Sequence, residues 1–313
     1  MKNAPLLLHD NDPAVIAARN AEQHLFAHYG LQGKDLYITL PVQGIRVRIT
    51  EMGYAGGKPL LVVPGNTGDV FPLASLLAQL KHRRIIALNR PGGGLSEGLD
   101  HTTVDLRPFA VQTIVAALDE FGLDSADVLA HSMGAHWSLW AAMDAPQRIS
   151  SLTMLGNPGN VMAGKPPLAI RLLMWPPFNK LLFKLMAPAD KSKALNPLRT
   201  MGHSKQTLAR QPKALGECYY YFRRLPHYFA SAASLFKNPA ANIDAAQLAL
   251  VKQPAQLLLG DKDNFASVGI GKSIVTAMPH GTLHVIAGAG HLPWLENPAL
   301  CGDIVKTFLE RQG

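Results

Sequence analysis

Three side chains scattered along this chain are of the types that together can attack a carbonyl group. The first is Ser132, in the stretch Val128-Leu-Ala-His-Ser-Met-Gly-Ala135. Ala126, Val128, Leu129 and Ala130 predict a short buried strand, and the Ala, Leu and Trp residues from Ala135 to Met143 fall at helical spacing. Ser132 therefore sits on a strand-to-helix turn. A turn that tight strains the serine backbone and lifts the hydroxyl clear of the sheet, so the residues two before and two after it must be small. Ala130 and Gly134 meet that demand, in a G-x-S-x-G pattern whose first glycine is alanine. A serine nucleophile needs a base, an acid to orient that base, and donors for the developing oxyanion.

The other candidates fall on Gly-rich loops that follow apolar runs. After Leu283 to Ile286 comes Ala-Gly-Ala-Gly-His291, which makes His291 the base. His284, inside the run, is expected to pack. After Gln256 to Leu259 comes Gly260-Asp-Lys-Asp-Asn264, where two aspartates compete for the orienting role. Asp263 lies further into the loop and is preferred, leaving Asp261 to hold the turn. After Leu60 to Val63 comes Pro64-Gly-Asn-Thr-Gly68, which offers the Asn66 N–H as one oxyanion donor beside the Met133 N–H of the serine turn.

These loops must be brought to one edge of a sheet. Asp35 to Leu40 and Gly44 to Glu51 predict an antiparallel edge hairpin with one wet face, since Ile45, Val47 and Ile49 alternate with Arg46, Arg48 and Thr50. Unbroken apolar runs follow at Pro59 to Val63, Arg84 to Leu88, Val128 to Ala130, Leu152 to Leu155, Gln256 to Leu259 and Leu283 to Ile286, as suits parallel strands covered on both faces. Helical patterns at Val70 to His82, Thr103 to Phe121, Gly134 to Ala145, Val268 to Met278 and Pro298 to Arg311 separate them. The expected fold class is α/β, a doubly wound and mostly parallel sheet whose sites gather beyond the carboxyl ends of the strands. The alternation stops between Asn157 and Val251, where Leu168 to Met186 and Tyr219 to Phe236 read as proline-broken helices. The expected organisation is an N-terminal helical extension over 1–34, a core from 35–156 and 252–313, and a helical cap inserted at 157–251. The extension's helix starts with an Asp12 cap and Pro13 and ends at Gly30.

The composition, 48% hydrophobic and 17% charged, is globular. Net charge is +8, but 13 Lys and Arg against three acids lie between Asn160 and Leu250, so the excess is local to the expected cap. That segment predicts peripheral contact with an anionic membrane or a preference for substrates bearing a negative group. No nucleic-acid module accompanies it. Cys218 and Cys301 have neither metal-site nor disulfide-framework spacing, and the first residues lack a signal-peptide core, which together predict a cytoplasmic protein with reduced thiols.

Taken together, the Ala-His-Ser-Met-Gly turn, Asn89-Arg-Pro-Gly-Gly-Gly-Leu-Ser96, Gly260-x-x-Asp263, and Gly290-His291 followed by Glu296-Asn-Pro298 resemble the α/β-hydrolase family, specifically its capped serine hydrolases. The resemblance covers the chain from about Leu36 onward, with Ala130 in place of the usual first glycine and Pro64-Gly65 where the family often has His-Gly. It implies a Ser132, Asp263 and His291 triad, no cofactor and no metal. Members that cleave epoxides or carbon–halogen bonds carry aspartate at the turn, so Ser132 sets this chain apart from them. The expected substrate is a small-molecule or lipid ester, with Trp175, Phe178, Phe183, Tyr220 and Trp294 as pocket candidates. Two other classes share the same triad: an acyltransferase or perhydrolase, and a ligand-binding protein with little turnover.

Overall fold

The computed structural model describes residues 7–41, 43–162 and 190–312. Eight strands form one sheet in the order β1-β2-β4-β3-β5-β6-β7-β8. They are β1 (Gly33–Thr39), β2 (Arg46–Gly53), β3 (Pro59–Val63), β4 (Arg84–Leu88), β5 (Ala126–His131), β6 (Ile149–Leu155), β7 (Ala255–Gly260) and β8 (Gly281–Ile286). The pairs β1·β2 and β2·β4 are antiparallel, and every later pair is parallel. The apolar runs are buried on both faces because successive side chains enter opposite layers: Leu61 and Val63 join one core cluster, Leu60 and Val62 the other. The edge strand β8 departs from that expectation, being covered fully only at Ile286.

The longer helices are α1 (Pro13–His28), α2 (Leu106–Glu120), α3 (Met133–Asp144), α4 (Lys213–Phe222), α5 (Tyr228–Lys237), α6 (Val268–Ala277) and α7 (Pro298–Glu310). In α1 the Asp12 carboxylate accepts from the Ala14 N–H at 2.7 Å, and Gly30 takes the left-handed conformation just past its end. The expected helix over Val70 to His82 is instead three single turns, with Pro72 at the start and no side-chain cap. Phe71, Leu73, Leu76, Leu77 and Leu80 are all buried, so packing rather than helix continuity sets this stretch.

The hairpin has no wet face at β2. Arg48 and Thr50, placed outward by their alternation, are 3% and 2% exposed because α1 lies over them. Glu22 of α1, itself 1% exposed, meets Arg48 at 2.6 Å, and Asp35 of β1 takes the other side of the guanidinium at 2.8 Å. Burial works against the charge on Arg48, but the two carboxylates outweigh it and raise its pKa. The first helix is thus tied into the body of the fold by a buried ion pair that the alternation of β2 alone does not reveal. Strands β6 and β7 pair directly, Leu152 opposite Ala255, although about 100 residues separate them in the chain. Helices α4 and α5, divided by a turn containing Pro226, lie in that intervening segment.

Candidate active site

Ser132 falls between the last residue of β5 and the first of α3 with φ 50° and ψ −117°, a conformation that only a few non-glycine residues adopt. What holds it there is close packing behind the turn. A Cβ on Gly134 would stand 2.2 Å from the Val63 carbonyl oxygen, so α3 can approach β3 this closely only with glycine. Ala130 is completely buried and takes the place of the first glycine. The Ser132 N–H is bound by the Leu155 carbonyl at 3.1 Å, which keeps the turn against β6.

The structure brings Ser132, His291 and Asp263 together. His291 Nε2 lies 2.9 Å from Ser132 Oγ, and His291 Nδ1 lies 2.8 Å from Asp263 Oδ2. All three are largely buried, at 9%, 2% and 8% exposure. Asp263 Oδ2 also accepts from the Asn157 N–H at 3.1 Å, and Oδ1 accepts from the Phe265 N–H at 2.8 Å. Burial alone would raise the pKa of this carboxyl, but His291 and the two amide donors bring it below the ordinary 3.8. An ionised Asp263 facing Nδ1 places the imidazole proton there and leaves Nε2 free to accept the serine proton. Asp261 is elsewhere: its carboxylate accepts from the Gly288 N–H at 2.7 Å on the exposed side of the loop.

The imidazole is held from every side. Phe265 stacks on it with ring centres 4.2 Å apart, and His131 packs on it at 4.9 Å. Its backbone N–H is bound to the Met201 carbonyl at 2.9 Å. The next amide, Leu292 N–H, donates to His203 Nε2 at 3.2 Å, so the His203 proton is on Nδ1, which donates to Glu296 Oε1 at 2.8 Å. His203 and Glu296 therefore position the histidine loop from two directions. His203 carried no signal in the sequence beyond its type, and Glu296 was visible only as part of a motif.

Asn66 and Met133 both line the cavity in front of Ser132. Behind the Asn66 loop, Arg90 donates through Nε and Nη2 to the Gly65 carbonyl, at 3.1 and 2.6 Å, and through Nη2 to the Asn66 carbonyl at 2.9 Å. In a planar trans peptide the N–H points opposite the carbonyl. Holding the Gly65 oxygen toward Arg90 turns the Asn66 N–H away from it. Arg90 is 1% exposed, lies over the Trp137 ring at 4.5 Å and has no carboxylate within ion-pair distance among the described residues. Burial lowers its pKa to about 9, with Asp69 opposing that shift from further off.

The cavity measures about 260 Å³. Leu73, Leu198, Met201, Leu235, Phe236 and Phe265 supply much of its apolar wall. Of the expected pocket residues, Trp294 is not among the lining residues. It is fully buried, with its indole N–H given to the Pro72 carbonyl at 2.7 Å and its ring edge-on to His131. Tyr220 is also absent from the lining, since α4 turns it outward, where Arg224 lies 3.4 Å over its ring. Its neighbour Tyr219 faces the cavity instead. Trp175, Phe178 and Phe183 lie outside the described residues. Among the described residues no group of His, Cys, Asp or Glu is arranged to hold a metal ion, both cysteines are free and buried, and no helix is long and apolar enough to cross a membrane.

Several known proteins resemble this one. Residues 58–298 match the model of the alpha/beta hydrolase fold family. The uncharacterized hydrolase YugF of Bacillus subtilis is 23% identical over 270 residues, covering 86% of this chain and 96% of that protein. A 2-hydroxy-6-oxononadienedioate/2-hydroxy-6-oxononatrienedioate hydrolase of Burkholderia vietnamiensis is 24% identical over 295 residues, covering 88% and 95%. Among solved structures, the carboxylesterase CesB (YbfK) of Bacillus subtilis superposes with a TM-score of 0.75 at 14% identity, covering 95% of this chain and 98% of that one. With its sheet order, its strand-to-helix serine turn and the family model spanning most of its length, this chain belongs to the alpha/beta hydrolase fold family.

Proposed function

We propose that this protein is a serine hydrolase that cleaves a carboxylic ester of a largely apolar small molecule or lipid through an acyl-enzyme on Ser132. The observation that carries the reading is the unbroken relay from Asp263 through His291 to the Ser132 hydroxyl, at 2.8 and 2.9 Å, opening on an apolar cavity. His291 Nε2 takes the proton as Ser132 Oγ attacks the ester carbonyl, and Asp263 stabilises the imidazolium that results. The oxyanion forms between the N–H groups of Asn66 and Met133, and in comparable sites the loss of one such donor costs about 2.7 to 4 kcal/mol. His291 then gives its proton to the departing alcohol. Water, activated by the same nitrogen, releases the acid and restores the serine.

The hydrolase names carried by the relatives support hydrolysis as the reaction, and the carboxylesterase CesB shares the fold. The apolar wall supports a substrate whose acyl part is hydrocarbon. The test is turnover of p-nitrophenyl esters of graded acyl length by the parent and by Ser132→Ala, together with labelling by a fluorophosphonate. A labelled parent and a loss on the order of 10⁶ in kcat for the variant is the expected result. Ester turnover by Ser132→Ala within tenfold of the parent would sink the proposal.

A further inference from the structure

Asn157 is a residue of this site whose side chain the reaction above leaves unused, with both of its polar atoms unpaired among the described residues. It lies two residues past the end of β6, is 1% exposed and belongs to the wall of the Ser132 cavity. Its backbone N–H is spent on Asp263 Oδ2. Its side chain is not spent among the described residues: neither the carboxamide oxygen nor the nitrogen has a hydrogen-bond partner there, and both are buried. Folded proteins rarely leave one buried polar atom unpaired, because its lost hydration is not returned. Two on one side chain, in the wall of the cavity that holds Ser132, make the carboxamide available to a bound molecule.

Position decides which part of a substrate that partner is. Asn157 lies on the histidine side of the serine: a Cβ on the preceding Gly156 would stand 2.4 Å from the His291 carbonyl oxygen and 3.0 Å from His291 Nδ1. His291 hands its proton to the departing alcohol, so that alcohol must leave from the histidine side. A carboxamide offers two N–H donors and an oxygen with two acceptor sites, and another amide matches both groups at once.

We propose that Asn157 binds the leaving-group side of the substrate, its carboxamide pairing with an amide carried by the alcohol part of the ester. The proposal rests on reading Ser132 as the nucleophile. The substrate class is then an ester with an apolar acyl chain and an amide-bearing alcohol. Asn157 selects among esters and takes no part in proton transfer.

The test compares two esters of one acid that match in shape and differ in polarity, the glycolamide ester and the isobutyl ester of hexanoic acid. Their intrinsic reactivities differ, so the quantity read is the ratio of their kcat/KM values in the parent divided by the same ratio in Asn157→Leu. That quotient is expected at roughly tenfold to hundredfold in favour of the parent. Asn157→Leu should also melt at a higher temperature than the parent, since it removes two unpaired buried atoms without opening a cavity. Asn157→Ala serves as a second variant with the same expected loss of preference.

A quotient near one overturns the proposal. So does an equal fall on both esters or a lower melting temperature, since each would show the side chain serving the fold or the Asp263 loop. If neither ester is turned over and a fluorophosphonate leaves Ser132 unlabelled, the nucleophile assignment has failed, and the proposal goes with it for that separate reason.

Discussion

Replacing Asp263 by Asn probes the carboxylate that the proposed reaction assigns to orienting His291. The parent carboxylate presents four acceptor sites to three donors: His291 Nδ1 and Asn157 N–H on Oδ2, at 2.8 and 3.1 Å, and Phe265 N–H on Oδ1 at 2.8 Å. An asparagine has one oxygen and one NH₂, so no orientation satisfies all three. With its oxygen toward His291, the NH₂ opposes the Phe265 N–H and the imidazolium loses its counter-charge. With its oxygen toward Phe265, the NH₂ opposes the Asn157 N–H and donates to His291 Nδ1, which drives the ring proton onto Nε2 and removes the base. Either way the transition state loses the term that a serine triad draws from its acid, about 10⁴-fold in another enzyme of this chemistry, or about 5.4 kcal/mol. The assay is kcat on a p-nitrophenyl ester, with Asp261→Asn as the paired control. Among the described residues Asp261 accepts the Gly288 N–H and pairs with Lys262 at 3.7 Å, both at an exposed turn, so its variant should stay within threefold of the parent. If Asp263→Asn keeps a tenth of the parental rate, or if Asp261→Asn is the more damaged of the two, the orienting acid has been misassigned.

Arg90→Met should lower kcat on esters by roughly 10² while raising stability toward urea, because it removes a buried guanidinium that has no carboxylate partner among the described residues together with the clamp on the Gly65 carbonyl. A fall in both quantities would make Arg90 a structural residue only. Burial raises the Asp69 pKa from 3.8 to about 7, so the native state keeps a proton that the unfolded chain loses between those values. The stabilisation from that proton is full below about pH 3.8 and fades as pH rises through about 7, a change of about 4 kcal/mol at most. Asp69→Asn should flatten this decline and be the more stable protein at pH 8, as checked by urea titrations at pH 5 and pH 8. Glu22→Ala leaves Arg48 with Asp35 as its one carboxylate among the described residues and should cost about 1 to 3 kcal/mol in chemical denaturation. A cost below 1 kcal/mol would mean that the first helix contributes little to holding the sheet.

The strand-to-helix turn at Ser132 was legible because strand runs and helical spacing are local patterns, and because sterics demand small residues at 130 and 134. The choice of Asp263 over Asp261 followed from loop position alone, and the two carboxylates indeed lie apart, one against His291 and one at the surface turn. The wet face assigned to β2 failed for a different reason. Alternation reports which residues share a face but not what lies over it, and a charged face covered by α1 carries the same pattern as a solvated one. Trp294 and Tyr220 failed likewise, since aromatic type does not say whether a ring turns toward a cavity, toward Pro72 or toward solvent.

By itself, then, the order of residues determined the alternation of strand and helix, the serine turn and the loops on which a base and an acid could stand, because each depends on neighbours within a dozen positions. Only the folded chain decided what those loops face. The Arg90 clamp on the Gly65 carbonyl, the His203 and Glu296 hold on the histidine loop and the burial of Glu22 against Arg48 all join residues distant in the chain. Such contacts depend on how whole layers pack, and no local spacing encodes that.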